Sequence, residues 1–406
     1  MKIVHICMGF PVEYPGGITN YVRSLSGAQA AQGDEVIIYC NSRSESDNTN
    51  NTAQYAVKRY DSKIRPFTMD IDAKDPGYRS FYESLCAEEA DVYHIHSLLG
   101  IDLRFVELFS QSSLNYIISL HDYNLICPRV FMVDKWEGIC RQVVPAKCMA
   151  CIGKLEQVDL LWRVYNKIKV PVPTLRSEKI YKRIYIFERL LKKASVLLPV
   201  STRVSEIFSD FSANNLKVIT IGNETANIVP ERDKLKSEKI IVAFLGSFTK
   251  IKGAELFIEL CKKNTNPLLE FCFYGRGKKE LIDAFENAGG KNFGPYSSKS
   301  LPEVLNKIHV GAVLSIWEDN GPQVVMEMLN NAIPVLGTKR GGISDFINDH
   351  NGFLFDPDEE MQLALKWLSE LTVDNVKQYH QNIKRLKTPQ QHYIEVDEVY
   401  RGTLNN

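Results

Sequence analysis

The chain has no net charge: 49 lysine and arginine residues balance 49 aspartate and glutamate residues over 406 positions. That balance excludes a global attraction to nucleic acid, so any charged partner must be met by a local cluster. Long apolar runs are missing as well, and none reaches the roughly 18 residues that a membrane-spanning helix needs. The first ten residues carry one lysine, and Pro11 cuts their apolar stretch short. No signal peptide is therefore expected, and the chain is expected in the cytoplasm. Nine cysteines are few for this length. Cys7, Cys40, Cys86, Cys261 and Cys272 lie in apolar contexts that suit buried thiols rather than disulfides. Repeats and low-complexity tracts are absent too, apart from the polar stretch 42–52, which is expected to be a loop.

What is present is an alternation of strand and helix. A single core does not grow to this size, so two domains are expected. Apolar, β-branched runs recur at Lys2–Cys7, Glu35–Cys40, Asp91–His96, Tyr116–Leu120, Ser195–Val200, Lys217–Ile221, Lys239–Leu245, Leu268–Tyr274, Val310–Ile316 and Ala332–Leu336. Their continuity suits strands buried on both faces of a parallel sheet. Helical patterns separate many of them, such as Gly17–Gln32 and Ala254–Lys262. The expected fold class is α/β, with two doubly wound Rossmann-like domains facing each other across a cleft. The expected bounds are 1–200 and 201–385, followed by a C-terminal helix within 386–406. Between Lys154 and Lys193 the pattern becomes helical and basic. This reads as a solvated helix face or as a contact for an anionic membrane or lipid phosphate.

The most informative segment is Trp317-Glu-Asp-Asn-Gly-Pro-Gln-Val-Val-Met-Glu327, which follows a strand and opens a helix. Pro322 suits the helix start. Backbone N–H groups around Asn320, Gly321, Gln323 and Val324, with the helix dipole behind them, form a site for a phosphate. Glu327, two turns into the helix, is placed to accept both hydroxyls of a ribose, and Asp319 to accept hydroxyls of a sugar. A second strand, loop and helix start occur at Ala243–Gly253, where Lys250 and Lys252 are candidate cations for a diphosphate leaving group. Phe273-Tyr-Gly-Arg-Gly277 adds a glycine turn at Gly275, and Phe293–Tyr296 a further loop.

Together, Asp319 to Glu327, Ala332–Thr338 and Gly341-Gly-Ile-Ser-Asp345 resemble the E-x7-E block, downstream strand and GG-x-x-E turn of the family 4 retaining glycosyltransferases. Those enzymes have the GT-B fold and are also described as glycosyl transferases group 1. Asp319 and Asp345 stand where that pattern usually has Glu, and Glu318 is a second candidate for the role of Asp319. The pattern's arginine after Gly246 is Ser247 here, while Lys252-Gly253 is kept. The resemblance implies donor-site roles for Gly246, Lys250, Lys252, Gly275, Asp319 and Glu327. It also implies that the loop Phe293–Tyr296 edges the base.

In the N-terminal half, Gly16-Gly17 opens a helix and permits close approach of an anion or sugar. The resemblance places this loop opposite the donor. His94 and His96 share one face of a strand, with no third metal ligand evident nearby, and are read as structural or as lining the acceptor side. His121 ends another strand, where α/β domains place active residues. It is either a core histidine satisfied by Asp122 or, as the resemblance implies, the group that orients the sugar and stabilises charge. Cys127, Cys140, Cys148 and Cys151 fall within 25 residues and close as Cys-x2-Cys. They are either free thiols or a closed structural zinc site outside the chemistry. A subset of the family resembled carries this insertion.

The function implied is retaining transfer of a sugar from a UDP- or GDP-sugar to an acceptor hydroxyl, with no metal required for catalysis. The acceptor expected is a glycan or lipid-linked carrier in cell-surface polysaccharide assembly. A nucleotide-sugar epimerase and a non-catalytic nucleotide-sugar binder are the rivals. The first would need acid and base groups beside the sugar, and the second is motivated by Ser247.

Overall fold

The computed structural model describes residues 1–10, 14, 16–41, 55–64, 71, 73–134, 136–152, 177–212, 215–227 and 239–405. The polar stretch 42–52, the basic segment up to residue 176 and part of the 9–19 loop lie outside these residues. The chain forms two compact units, Met1–Thr220 with Pro389–Asn406, and Ile221–Thr388.

The first unit holds strands β1 (Lys2–Cys7), β2 (Glu35–Asn41), β3 (Ala56–Tyr60), β4 (Val92–Ile95), β5 (Tyr116–Leu120) and β6 (Val196–Pro199). They form one sheet in the order β3-β2-β1-β4-β5-β6, with every pair parallel. The helices are α1 (Gly17–Ala31), α2 (Tyr78–Cys86), α3 (Leu103–Gln111), α4 (Pro145–Ile152), α5 (Ser177–Lys193) and α6 (Thr202–Ser209). Ile3, Val4, Ile6, Ile117 and Leu197 are fully buried, as central parallel strands covered on both faces require. The chain order reverses between β1 and β4, so this sheet's switch point lies at their carboxyl ends.

The second unit repeats the topology. Its strands are β7 (Ile240–Phe248), β8 (Leu269–Gly277), β9 (Lys291–Asn292), β10 (Val310–Val313), β11 (Val335–Thr338) and β12 (Gly352–Phe355). They pair in parallel in the order β12-β11-β10-β7-β8-β9, which puts the switch point between β7 and β10. The helices are α7 (Ala254–Lys263), α8 (Lys279–Asn287), α9 (Leu301–Asn306), α10 (Gln323–Asn330), α11 (Met361–Ser369) and α12 (Val373–Asn382). Phe244, Phe248, Phe257, Phe273 and Phe285 interlock in the core at ring separations from 4.5 to 6.4 Å.

Helix α13 (Pro389–Leu404) returns to the first unit and packs on α1. There Gln29 donates to the Tyr400 hydroxyl at 3.1 Å, and Tyr21 meets His392 at 2.8 Å. The unit boundary lies at residue 220 rather than 200. The reason is that Lys217 and Ile219 hydrogen-bond to Leu197 and Pro199 of β6 and extend the first sheet's edge. The expected strand Lys217–Ile221 is accordingly only an extended segment beside β6, with a single bridge at Leu216.

Candidate functional site

In the second unit, the loops at the carboxyl ends of β7 and β10 meet at the switch point. Ile316 N–H donates to Ile251 O at 3.0 Å, tying one loop to the other. Gly253 follows Lys252 with φ 85°, and a Cβ there would stand 1.9 Å from Leu314 O. Glycine is thus demanded by the approach of the two loops, and this approach brings Lys252 to Asp319.

Lys252 Nζ donates to Asp319 Oδ2 at 2.6 Å and lies 5.0 Å from the centre of the Trp317 ring. The Ser315 hydroxyl donates to the same carboxylate oxygen at 3.0 Å. Ser315 is in turn held by Thr338, whose hydroxyl donates to Ser315 O at 2.6 Å. Asp319 is buried, and its backbone O accepts from Gly342 N–H at 2.6 Å. Lys250 is turned away to Glu255 at 3.8 Å, so it does not share the position of Lys252. Glu318 does not share the role of Asp319 either. It is buried, and its Oε2 accepts from Gly341 N–H at 2.9 Å, which fixes the turn Gly341–Asp345.

Helix α10 starts one residue later than expected, with Pro322 at the capping position and Gln323 as the first helical residue. Gln323 Oε1 accepts from Asn223 Nδ2 at 2.7 Å, and Asn330 at the far end donates to Thr225 at 3.1 Å. Just before the helix, Asn320 is buried, and neither Oδ1 nor Nδ2 of its amide has a hydrogen-bond partner among the described residues. An orphaned amide beside helix-end N–H groups is a place where a polar ligand gains contacts that the protein does not supply.

Glu327 is half-buried on α10, and burial raises its carboxyl to about 7. Tyr296 lies near enough for the charge of Glu327, after burial, to help raise its hydroxyl pKa. Val324, in the first turn of α10, is half-buried. Gly246 and Gly275 are register partners at the ends of β7 and β8, and Gly275 N–H donates to Gly294 O at 2.8 Å. Phe293 stacks on Tyr274 at 4.9 Å and is 57% exposed, which leaves a ring face for a planar group.

In the first unit, His121 stands just past β5. Its Nε2 lies 3.3 Å from His96 Nδ1. Asp122 is not its partner, because that carboxylate accepts from Asn124 N–H at 2.8 Å and from the Ser97 hydroxyl at 3.1 Å. Burial pulls the His121 imidazole down to about 3, so it is neutral. Any charge stabilisation by His121 would therefore come from a neutral imidazole. The pair His94 and His96 does have a third neighbour, since β1 and β4 pair with His5 opposite His94. Gly16 caps α1 in an extended conformation with open space around its α-carbon, and Gly17 begins the helix. Nothing in the backbone there requires glycine.

Cys127, Cys140, Cys148 and Cys151 line one pocket, with Cys148 and Cys151 a turn apart on α4. All four are free thiols. Arg129 Nε donates to Cys151 Sγ at 3.1 Å. Among the described residues, no three of these sulfurs lie within 4.8 Å of one another. Four thiols converging on one pocket are nevertheless a donor set suited to zinc.

The sheets, their order and the switch-point site define an α/β protein of the GT-B type. Residues 227–386, within the second unit, match the family described as Glycosyl transferases group 1. The whole chain is similar in fold to HepE of Anabaena solved in complex with UDP. The TM-score is 0.66 and the identity 14%, covering 99% of this chain and 100% of that one. It is also similar to sucrose-phosphate synthase from Thermosynechococcus elongatus, with TM-score 0.65, identity 15%, and 100% and 99% coverage. A third similar fold is WaaG, a glycosyltransferase involved in lipopolysaccharide biosynthesis, with TM-score 0.58, identity 14%, and 99% and 98% coverage. No curated protein sequence matches the chain at a significant level.

Asn223, Ser315 and Thr338 were not legible as site residues. Each is a single polar residue in an apolar or mixed context, and its role depends on contacts across strands and loops.

Proposed function

We propose that this protein transfers a sugar, with retention, from a nucleoside diphosphate sugar to an acceptor hydroxyl. The observation that carries the reading is the ion pair of Lys252 with Asp319 at the switch point, beside the orphaned Asn320 amide and the start of α10. Lys252 and the helix-end N–H groups receive the diphosphate, Glu327 the ribose hydroxyls, and Asp319 hydroxyls of the sugar. Charge grows on the leaving diphosphate in the transition state, and a fixed lysine with oriented backbone dipoles stabilises it without a metal. The leaving phosphate then takes the proton of the attacking hydroxyl on the same face. HepE and its complex with UDP support a uridine donor. The acceptor is a glycan or lipid-linked carrier of the cell surface. Helix α5 supports contact with an anionic membrane, because Tyr181, Lys182, Tyr185, Arg189 and Lys192 form one exposed stripe. Among the described residues, no helix is long and apolar enough to cross a membrane.

Thermal shift against UDP, GDP and their sugars, without magnesium, tests the donor site. A ligand that binds only the folded state raises its melting temperature. A rise with one base, together with transfer to an added acceptor, is expected. Sugar inversion in the donor without acceptor points to an epimerase, and binding without turnover on any acceptor to a non-catalytic binder.

We also propose that the four cysteines bind a structural zinc. Closing sulfurs onto the ion from their present separation would order the loop, and such sites contribute directly to folding. Replacing Cys148 and Cys151 by Ser is expected to release the metal and lower the melting temperature. A metal-free wild type with an unchanged melt in the variant rules this out.

A further inference from the structure

The second unit has a polar cavity on the sheet edge opposite its switch point, among residues that the reaction outlined above does not use. One side is the turn that enters β12, where Asn351 O accepts from Val335 N–H, at the start of β11, at 3.0 Å. The other sides are the end of α11 and one face of α12. The cavity holds about 330 Å³, at the lower end of the ~300–1,000 Å³ usual for small-ligand sites.

Helical spacing brings much of the lining together. Asn375, Gln378, Tyr379 and Asn382 stand at i, i+3, i+4 and i+7 on α12, so they share the face that borders the cavity. Val376 and His380 bury the other face in the unit. Trp367 and Glu370 come from the last turn of α11 and the residue just after it. The frame is held by the protein's own hydrogen bonds. The buried Asn266 amide donates to Leu368 O at 3.0 Å and to Leu371 O at 2.8 Å, which fixes the turn between the two helices. Asn375 belongs to the capping box of α12 and donates to Glu370 O at 3.2 Å. On the β12 side, Asn351 Nδ2 donates to Phe346 O at 2.8 Å, and its Oδ1 accepts from Asn348 N–H at 2.7 Å. A ligand entering such a frame has little chain to order.

What the frame presents is unused. Trp367 Nε1–H, the Tyr379 hydroxyl, the amides of Gln378 and Asn382 and the Asp349 carboxylate have no hydrogen-bond partner among the described residues. Glu370 meets the exposed Lys366 only at 3.8 Å. The set mixes pure donors, pure acceptors and groups that do both. The Trp367 ring lies over Phe353 at 5.9 Å and 15°, and Tyr379 stands 6.4 Å from it, tilted by 57°. Trp367 and Tyr379 thus make a corner, not a parallel slot.

This lining selects among ligands. An anion meets two carboxylates, and none of the described residues around it is lysine or arginine. A cation suits rings and carboxylates but leaves the N–H groups of two amides without acceptors. A base held between two rings needs parallel faces. A ring bearing several hydroxyls matches the whole set, because each hydroxyl both gives and takes a hydrogen bond while the ring's C–H face covers an aromatic side chain. We propose that this cavity is a second, non-catalytic saccharide site, which takes one neutral sugar unit of a glycan. Trp367 and Tyr379 pack on its C–H face, Gln378 and Asn382 donate to its hydroxyls, and Asp349 and Glu370 accept from them. The site keeps a glycan on the protein away from the donor position, and the binding itself does not depend on the glycosyl-transfer reading.

The test follows the indole N–H signals of the full 15N-labelled chain, which has four tryptophans. Trp317 reports on the donor position and Trp367 on the cavity, each assigned by the signal lost in Trp317→Phe or Trp367→Phe. Glucose, galactose, mannose, rhamnose and N-acetylglucosamine are added separately at about 10 mM, enough to fill most of a site with millimolar affinity. At least one is expected to move Trp367 saturably and to leave Trp317 unmoved. If none moves Trp367, the site is overturned. Glucuronate or choline moving it as strongly as the best of these sugars overturns the assignment to a neutral saccharide. Gln378→Ala with Asn382→Ala removes two amides that hold nothing in the fold, so the melting temperature should stay while affinity for the best sugar falls about tenfold. Unchanged affinity in a folded variant overturns the contacts, and the wild-type titration decides even if the variant does not fold. A sugar bound at Trp367 in a protein that transfers none leaves this site standing and removes only the glycosyl-transfer reading. UDP that moves Trp317 while no sugar moves Trp367 does the reverse.

Discussion

Lys252→Ala is expected to lower turnover by about 100- to 1,000-fold, with a much smaller rise in the donor's KM. This is the range seen when one fixed donor to a developing anion is removed. The split between kcat and KM follows from when charge appears. The diphosphate of a bound nucleotide sugar already meets the N–H groups at the start of α10, but the charge released by bond breaking arises only in the transition state. Lysine also has a structural role, because it is the cation beside the buried Asp319 carboxylate, 2.6 Å away. Removing it leaves that carboxylate with only the Ser315 hydroxyl as a side-chain partner among the described residues, so the variant should melt earlier. The two roles separate in Lys252→Met combined with Asp319→Asn. This pair deletes both charges and should recover most of the lost melting temperature. If turnover recovers with it, Lys252 acts only as a counter-ion and the leaving-group assignment is wrong. If the double variant is stable and still much slower than Asp319→Asn alone, the lysine stabilises the departing diphosphate.

Much of this architecture was legible because parallel strands buried on both faces leave continuous apolar runs, as at Lys2–Cys7 and Tyr116–Leu120. Strands at the sheet edges were not. Ala56–Tyr60 has two adjacent charged residues in its middle, Lys291–Asn292 is polar and two residues long, and Gly352–Phe355 is a short run opening on glycine. In the candidate site, Lys252, Asp319 and Glu327 could be singled out from sequence because each sits in a local pattern of strand, loop and helix start. Glu318 was weighed as an alternative to Asp319, and Lys250 as a further cation beside Lys252, for the same reason, and only contacts with Gly341 and Glu255 set them apart. The buried histidines of the first unit show the limit most plainly. His94 and His96 were noticed as a pair two residues apart, but His5 lies 89 positions before His94 and joins them only through the register of β1 on β4. Gln29 and Tyr400 lie on two helices whose packing brings the chain's last segment against its first. No local periodicity records such contacts.

Glu327 gives the second large effect, and its sign can be worked out. In the folded protein its carboxyl is raised by burial from 4.5 to about 7. A raised acid costs the fold stability as pH rises, because the unfolded chain ionises first. The cost is absent below pH 4.5, grows to about pH 7 and is constant above. Glu327→Gln, which keeps the shape without the charge, should therefore melt higher than wild type at pH 8 and equally at pH 4. Ligand binding has the opposite dependence. Ribose hydroxyls donate hydrogen bonds, and the ionised carboxylate is the stronger acceptor, so donor affinity should rise with pH through about 7 and binding should release a proton. The suitable probe is UDP-glucose, since the terminal phosphate of UDP itself titrates near the same pH. Hydrogen bonds to a charged group contribute about 1.5–3 kcal/mol, so Glu327→Gln should bind UDP-glucose about 10- to 100-fold more weakly at pH 8. Its affinity should also lose the slope between pH 6 and 8. A variant that keeps both the affinity and the slope places the ribose elsewhere. One that loses affinity but keeps the slope assigns the titration to another group, of which the Tyr296 hydroxyl is not a candidate because burial and the charge of Glu327 hold its pKa higher still. The same carboxylate thus makes the empty protein less stable in the pH range where it makes the donor bind more tightly. This is the pattern expected of a residue placed for its ligand rather than for the fold.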